Sequence, residues 1–383
     1  MTSTVTPLVF YGPIIHSRSL EELEILENAT LVIDASGTIT AFKKSEDDDT
    51  PIPAVPEGAR VHHLGPGEFL IPGFIDTHNH APQWPMRGIG QGLHILDWLD
   101  QVTFPFEARF VDAAYARALL RGYRRRLSAP GHHDGRLLQL APRESDAHPR
   151  RHVRRKGPSA PSSEVQHGTA GGSMPRAPCF RTSRHEAKAD LYEHFGLLGP
   201  RSILAHCTVM TDYDKERLQA LGCGVAHCPI ANMTVGGGFM VAPVRDLLRR
   251  GVKVGLGTDS GGGWASQMLA VMRQAVIASN AREVTDAADE ALTLDEVFYL
   301  ATLGGARVLC LEHLVGSFAV GKQFDASWVA ATSGLRSAMT PREDDDGLRR
   351  LFEKFVMTGD DRNMAHVYVR GRRVAGARHG EAS

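Results

Sequence analysis

Glu68-Phe69-Leu70-Ile71-Pro72-Gly73-Phe74-Ile75-Asp76-Thr77-His78-Asn79-His80 is the stretch on which the reading of the whole chain turns. It is almost wholly apolar as far as Ile75 and closes on two histidines spaced by two. Successive side chains of a strand point to opposite faces, so as one strand it would carry His78 and His80 on the same face, within reach of one metal ion. A pair of surface or hydrogen-bonded histidines is the plainer alternative, because neutral imidazoles are ordinary polar groups as well as ligands. Two further segments tip the balance. Ile203-Leu204-Ala205-His206 is apolar up to a histidine, and Val252-Lys253-Val254-Gly255-Leu256-Gly257-Thr258-Asp259 is mostly apolar up to an aspartate. In a parallel barrel the active site lies at the carboxyl ends of the strands, which would gather His78, His80, His206 and Asp259 at one mouth. Nitrogen and carboxylate ligands without a thiolate pair suit zinc or another borderline divalent ion. Asp259 has an alternative role as N-cap of a following helix, but Ser260 could cap equally well, and the Gly261 to Gly263 run reads as an open loop over a site.

The surroundings are those of a globular protein. The chain has 383 residues, 42% of them hydrophobic, and a formal charge of -1. A nucleic-acid binder would carry a basic excess and a disordered chain few apolar residues, so both are disfavoured. The length suits two domains, or one large barrel with an accessory module. Five dispersed cysteines do not form a disulfide framework and point to a reducing, cytoplasmic setting. Met1 to Ser17 lacks the basic start and unbroken apolar run of a signal peptide, and no apolar stretch is long enough to span a membrane.

Ala29 to Phe42 alternates around Ser36-Gly37, and His366 to Val374 around Gly371, so both ends predict β hairpins. Between them strands and helices alternate. Strands are predicted at Ser202 to His206, Gly224 to Cys228 and Val252 to Asp259, with helices at Asp212 to Leu221, Val241 to Arg250 and Ala265 to Ala278. Thr293-Leu294-Asp295-Glu296 has capping-box spacing and opens another helix. This order argues for a parallel α/β core.

One segment departs from the pattern. Ala129 to Ala187 spans 59 residues, with 9 Arg, 7 Pro and 6 His but only 8 residues drawn from Val, Leu, Met, Phe and Cys. It carries +5, leaving -6 on the other 324 residues. Such text buries too little apolar surface to offset its ordering entropy, and no strand or helix period is visible in it. Its basic runs, Arg150-Arg151 and Arg154-Arg155-Lys156, have only Phe180 as an aromatic companion and read as solvated rather than nucleic-acid binding.

The string Pro72-Gly73-Phe74-Ile75-Asp76-Thr77-His78-Asn79-His80-Ala81-Pro82-Gln83 resembles the first metal motif of the amidohydrolase superfamily, and Ala81-Pro82-Gln83 resembles its guanine deaminases in particular. Leu99 to Glu107 with its Thr103-Phe104-Pro105, Leu197 to Cys207, Ala226-His227-Cys228-Pro229 and Gly255 to Gly263 are similar too. The likeness covers roughly residues 8–127 and 189–375. It implies a metal-dependent (β/α)8 barrel of the TIM type over residues 71–313, disturbed at 129–187, and a small β-sandwich domain built from residues 1–70 and 314–383. It implies zinc held by His78, His80, His206 and Asp259, with Asp259 also the catalytic base, Gln83 binding the purine, and guanine deaminated to xanthine and ammonia. The expected partners are a small-molecule purine and a second copy of the chain, with neither nucleic acid nor membrane. His227 is expected to be a satisfied core histidine.

The family pattern also contains a zinc-binding histidine followed three residues later by a proton-shuttling glutamate, and an Arg-Phe pair on the substrate. No histidine between His80 and His206 has a glutamate three residues on, and the family's substrate-contacting Arg-Phe pair is missing too. Five strand-and-helix steps need about 155 residues at about 31 per unit, whereas His206 lies 126 positions after His80. The 129–187 segment is either a divergent insertion or, as its abrupt edges and its Arg, Pro, Ala, Gly, Ser and His richness favour, what a GC-rich gene yields when read out of frame. The resemblance implies a guanine deaminase-like amidohydrolase by descent, and the missing residues lead to an expectation of weak or no catalysis. The alternatives are an amidohydrolase of triazine, pyrimidine or adenosine-like rings, and a non-catalytic assembly protein that keeps the fold.

Overall fold

The computed structural model describes residues 5–44, 54–127, 164–165, 188–234, 240–331 and 343–376. Both ends of the chain enter one sheet. Its strands are β1 (Leu8–Ser17), β2 (Leu23–Ile33), β3 (Ile39–Lys44), β4 (Arg60–His63), β5 (Glu68–Pro72), β10 (Ala326–Ala330), β11 (Met364–Val369) and β12 (Arg372–Gly376). They run in the order β12-β11-β10-β5-β1-β2-β3, with β4 paired to β1. Both predicted hairpins are present, as β2–β3 and β11–β12. Where two packed sheets were expected there is one connected sheet, because β5 pairs with β10 along its length and with β1 at Leu70. The sheet curls until its ends meet. The Phe324 N–H donates to Gly37 O at 2.8 Å, and the Gly371 N–H donates to Phe324 O at 2.9 Å. Inside the curl the ring of Phe10 lies 5.1 Å from Phe324 and 5.6 Å from Tyr368.

Glu68 to His80 does not form the single strand its apolar pattern suggests. The strand ends at Pro72, where Gly73 donates to Asp325 O at 3.1 Å and the chain leaves the curled sheet. Gly73 to His80 then runs extended beside a second, parallel sheet. Ile75 donates to Ala301 O at 2.8 Å, Thr77 to Leu256 O at 3.0 Å, and the Asp259 N–H to His78 O at 2.8 Å. One apolar run thus serves two layers, which period-two alternation cannot reveal.

The parallel sheet contains β6 (Glu164–Val165), β7 (Ile203–Ala205), β8 (Gly224–His227) and β9 (Lys253–Leu256), in sequence order. The strands predicted around β7, β8 and β9 are present and in parallel register. The short β6 lies inside the segment expected to hold no strand, and pairs Glu164 with Ile203 and Val165 with Leu204. The rest of 129–187 lies outside the described residues. Asp212–Ala220 forms as a helix with a complete capping box at Thr211, and Leu294–Ala301 with one at Thr293. The helix expected from Val241 begins only at Val244, because a residue before proline is driven out of the helical region and Pro243 stands in the way. The helix expected at Ala265 to Ala278 runs from Met268 to Thr285. Among the described residues no helix is long and apolar enough to cross a membrane.

Phenylalanines from distant parts of the chain share one core. Phe69 of β5 lies 5.9 Å from Phe355, Phe298 lies 4.9 Å edge-on from Phe352, and Phe74 lies 6.4 Å from Phe298. Phe352 and Phe355 belong to the helix Leu348–Thr358, so the carboxyl-terminal stretch packs into the same core as the parallel sheet. Replacing Phe352 with Ala removes a fully buried ring and is expected to cost about 3–5 kcal/mol of unfolding free energy in a denaturant titration; a loss below about 1 kcal/mol would remove this cluster from the core.

His16 links three parts of the curled sheet. Its Nε2 lies 2.8 Å from a Glu24 carboxylate oxygen, Lys44 also reaches Glu24, and its Nδ1 accepts from the Phe318 N–H at 3.3 Å. Burial pushes the imidazole pKa down, outweighing the hydrogen bond to Glu24. The folded state therefore holds His16 neutral while the unfolded chain titrates normally near pH 6.5. Stability should be full above that pH and fall as the solution is acidified below it. Melting curves from pH 8 to pH 5 check this, and His16→Gln is expected to flatten the slope.

Candidate metal centre and active site

The carboxyl ends of β7 and β9 and the extended run to His80 converge. His78 Nε2 lies 3.1 Å from Asp259 Oδ1, His80 Nε2 lies 3.1 Å from the same oxygen, and the two imidazole nitrogens are 3.1 Å apart. His206 Nε2 stands 3.9 Å from Asp259 Oδ2. One ligand atom each from His78, His206 and Asp259 falls within 4.8 Å of the others. Tetrahedral zinc at about 2.0–2.1 Å from each ligand would separate its donors by about 3.3 Å. Imidazole nitrogens and carboxylate oxygens gathered at such spacing could hold a divalent cation.

The backbone is bent to bring them there. His206, Cys207 and Asp259 adopt φ of 70°, 45° and 45°, in the left-handed region that costs a non-glycine residue on the order of 1–3 kcal/mol. That strain sits on two of the four candidate ligands. Gly257 lets β9 approach: a Cβ there would come 2.9 Å from His78 Cβ and 3.0 Å from Cys228 Sγ. Asp259 is not an N-cap, because the following helix starts at Met268 with Gln267 as its cap.

Burial raises the Asp259 pKa as its largest single influence, but hydrogen bonds from His78 and His80 together with the neighbouring imidazoles outweigh it and hold the carboxyl well below the usual range. For His206 burial dominates and lowers the pKa. With Asn232 Oδ1 at 2.7 Å as acceptor, His206 carries its proton on Nδ1 and presents the Nε2 lone pair toward Asp259.

Three supporting residues escaped the sequence reading. Asp76 is buried, and its carboxylate accepts from Thr258 Oγ1 at 2.6 Å, Thr258 N at 3.0 Å and His78 N at 3.1 Å. Burial pushes its pKa up to about 6 against those hydrogen bonds. Asp76 shares the alternation of His78 and His80, the one signal that could have marked it. Asn232 had none, and Glu107 only its place at the end of the family-like stretch from Leu99, since each acts through a side chain remote in sequence. Gln83 is buried, and it donates from Nε2 to Glu107 Oε1 at 2.8 Å rather than bonding to backbone. His227 is a core residue as expected, but its Nδ1 has no partner among the described residues. Burial pushes its pKa down to about 3 and keeps it neutral. The four described cysteines, Cys207, Cys223, Cys228 and Cys310, are free thiols.

The chain is 32% identical to the probable guanine deaminase of Schizosaccharomyces pombe, over 96% of this chain and 83% of that protein. It is 28% identical to the guanine deaminase of Dictyostelium discoideum, over 96% of this chain and 98% of that one. The latter alignment has 446 positions against 383 residues here, so at least 63 positions have no residue in this chain. Among solved structures, guanine deaminase from C. acetobutylicum with bound guanine superposes with a TM-score of 0.72 at 21% identity, over 96% of this chain and all of that one. The fold is therefore that of the metal-dependent TIM-barrel hydrolases. The Amidohydrolase family profile matches residues 180–374, half of the chain, and with the converging His78, His80, His206 and Asp259 and the relatives above it establishes that this chain belongs to the amidohydrolase family.

Proposed function

We propose that the chain is built for the hydrolytic deamination of guanine to xanthine and ammonia, with zinc held by His78, His80, His206 and Asp259. The observation that carries the reading is the set of 3.1 Å separations among His78, His80 and Asp259, with Gln83 beside them. A divalent cation in this position supplies the Lewis acidity that brings the pKa of a water molecule to about 7. Asp259, ionised at neutral pH, accepts the proton as the water oxygen bonds to the ring carbon bearing the amino group. Asn232 holds the His206 ring in place, and Asp76 fixes the backbone of His78 relative to Thr258. The ring carbon loses its amino group as ammonia, so one water is consumed for each xanthine formed. Gln83 offers both a donor and an acceptor to the purine edge. Free thiols support a cytoplasmic setting, and a homodimer completes the reading.

The catalytic set lacks one member. The family's histidine and glutamate spaced by three have no counterpart in the sequence, which leaves the ring without a side-chain proton shuttle. We attribute this to residues 129–187 standing in place of barrel text, in keeping with the alignment positions left empty. Turnover is expected to be weak or absent even with the metal bound, and guanine-to-xanthine conversion at the rate of an intact relative would overturn this. Sequencing the transcript across these codons is expected to reveal a shifted frame; an in-frame message encoding the same peptide would show the segment to be genuine.

Metal binding is the more direct measurement. The purified chain should hold about one zinc by elemental analysis. Asp259→Asn or His80→Ala should reduce its zinc affinity by at least tenfold, since even residues that only support a ligand cost about 10–100-fold. Unchanged affinity in both variants would disprove the ligand set.

A further inference from the structure

We propose that Glu107 is a positioning residue that sets which way Gln83 presents its amide to the substrate. The inference rests on the guanine reading of the site. An amide side chain has two ends of nearly equal size and opposite character, one a donor and one an acceptor. Left to itself, it can turn over and reverse the pattern offered to a ligand. Glu107 removes that freedom. Its carboxylate can only accept while ionised, and it lies 2.8 Å from Gln83 Nε2, so the amide nitrogen must face it and the carbonyl must face away.

Where the carbonyl lies follows from the glycine loop. A Cβ on Gly261 would fall 2.1 Å from Gln83 Oε1 and 2.6 Å from Gln83 Cβ, so the glutamine side chain lies directly against the Gly261 backbone. Gly261 is two residues beyond Asp259, and its φ of +129° is one that side-chain-bearing residues rarely adopt. Gln83 is thus held between a carboxylate on one side and the loop that follows Asp259 on the other. Only glycine leaves room for it.

Glu107 is itself anchored. It lies in the short helix Phe104–Ala108, which follows the buried Val102 and Thr103. Phe106 packs against Met86, Trp98 and Val102, and Met86 ends the turn of helix that begins at Ala81 and contains Gln83. The two partners therefore belong to one packed unit, and Glu107 has no ion-pair partner among the described residues. A half-buried carboxylate whose hydrogen bond runs to a candidate substrate-binding amide serves that amide's orientation. With its nitrogen engaged, Gln83 keeps the carbonyl and one N–H for the ligand. This pattern suits the guanine edge on which the amino group adjoins the ring acceptor N3, and disfavours a purine that lacks that amino group.

The test uses the full-length chain with zinc and measures the Kd of guanine by stopped-flow fluorescence before turnover, with hypoxanthine, which lacks the 2-amino group, as the comparison. Glu107→Ala should weaken guanine about tenfold, the loss of one charged hydrogen bond, and narrow its preference over hypoxanthine. Glu107→Gln, whose carbonyl can accept the same bond, should stay within about threefold of the unmutated chain. In a Gln83→Ala background, Glu107→Ala should add nothing, because its only route to the ligand has gone. Melting temperatures confirm folding of each variant. Unchanged guanine affinity in Glu107→Ala, or a full additional loss on top of Gln83→Ala, overturns the proposal while leaving the guanine reading intact. An unmutated chain that does not bind guanine overturns that reading, and this inference with it.

Discussion

The candidate site depends on one buried carboxylate. Asp76 joins the extended run carrying the two histidines to the end of β9 by accepting from Thr258 twice and from the His78 backbone once. A carboxylate taken out of water is costly unless its lone pairs are filled, and here three donors fill them. The geometry that results is shared: the Asp259 N–H bonds to His78 O one residue beyond this clamp, which brings the Asp259 carboxylate to the two imidazoles. The left-handed backbone at Asp259 is held against its intrinsic cost by these bonds and by the close approach that Gly257 allows.

Two sheets meet at Pro72 and Gly73. Upstream, β5 ties both ends of the chain into the curled sheet; downstream, the same chain direction delivers His78 and His80 to the parallel sheet. The phenylalanine cluster of Phe69, Phe74, Phe298, Phe352 and Phe355 straddles this junction. Burial at the junction and ligand convergence at the mouth are therefore coupled through about eight residues of extended chain.

Much of this was legible in the residues. The hairpins at Gly37 and Gly371, the capping boxes at Thr211 and Thr293, and the strands ending at His206 and Asp259 all announce themselves through local chemistry: turn formers, reciprocal caps, apolar runs that stop at a ligand-type residue. The misses share a cause. Pro72 divides a run whose hydrophobic pattern is continuous, because both halves are buried, one in each sheet. Val241 and Ala242 look helical until Pro243 is weighed. Glu164 and Val165 pair with β7 although their neighbours carry no periodicity, since ladder hydrogen bonds are made by the backbone whatever the side chains.

The sequence by itself determined the α/β class, the four converging ligand types and the absence of the histidine and glutamate spaced by three, because each is a matter of residue identity and short-range order. Tertiary structure alone decided that Asp76 clamps β9, that Asn232 orients His206, that Glu107 faces Gln83 and that the terminal strands form one curled sheet. Those relations join residues from 24 to 182 positions apart in the three side-chain contacts, and no local propensity encodes a hydrogen bond whose two partners meet only when the core has closed.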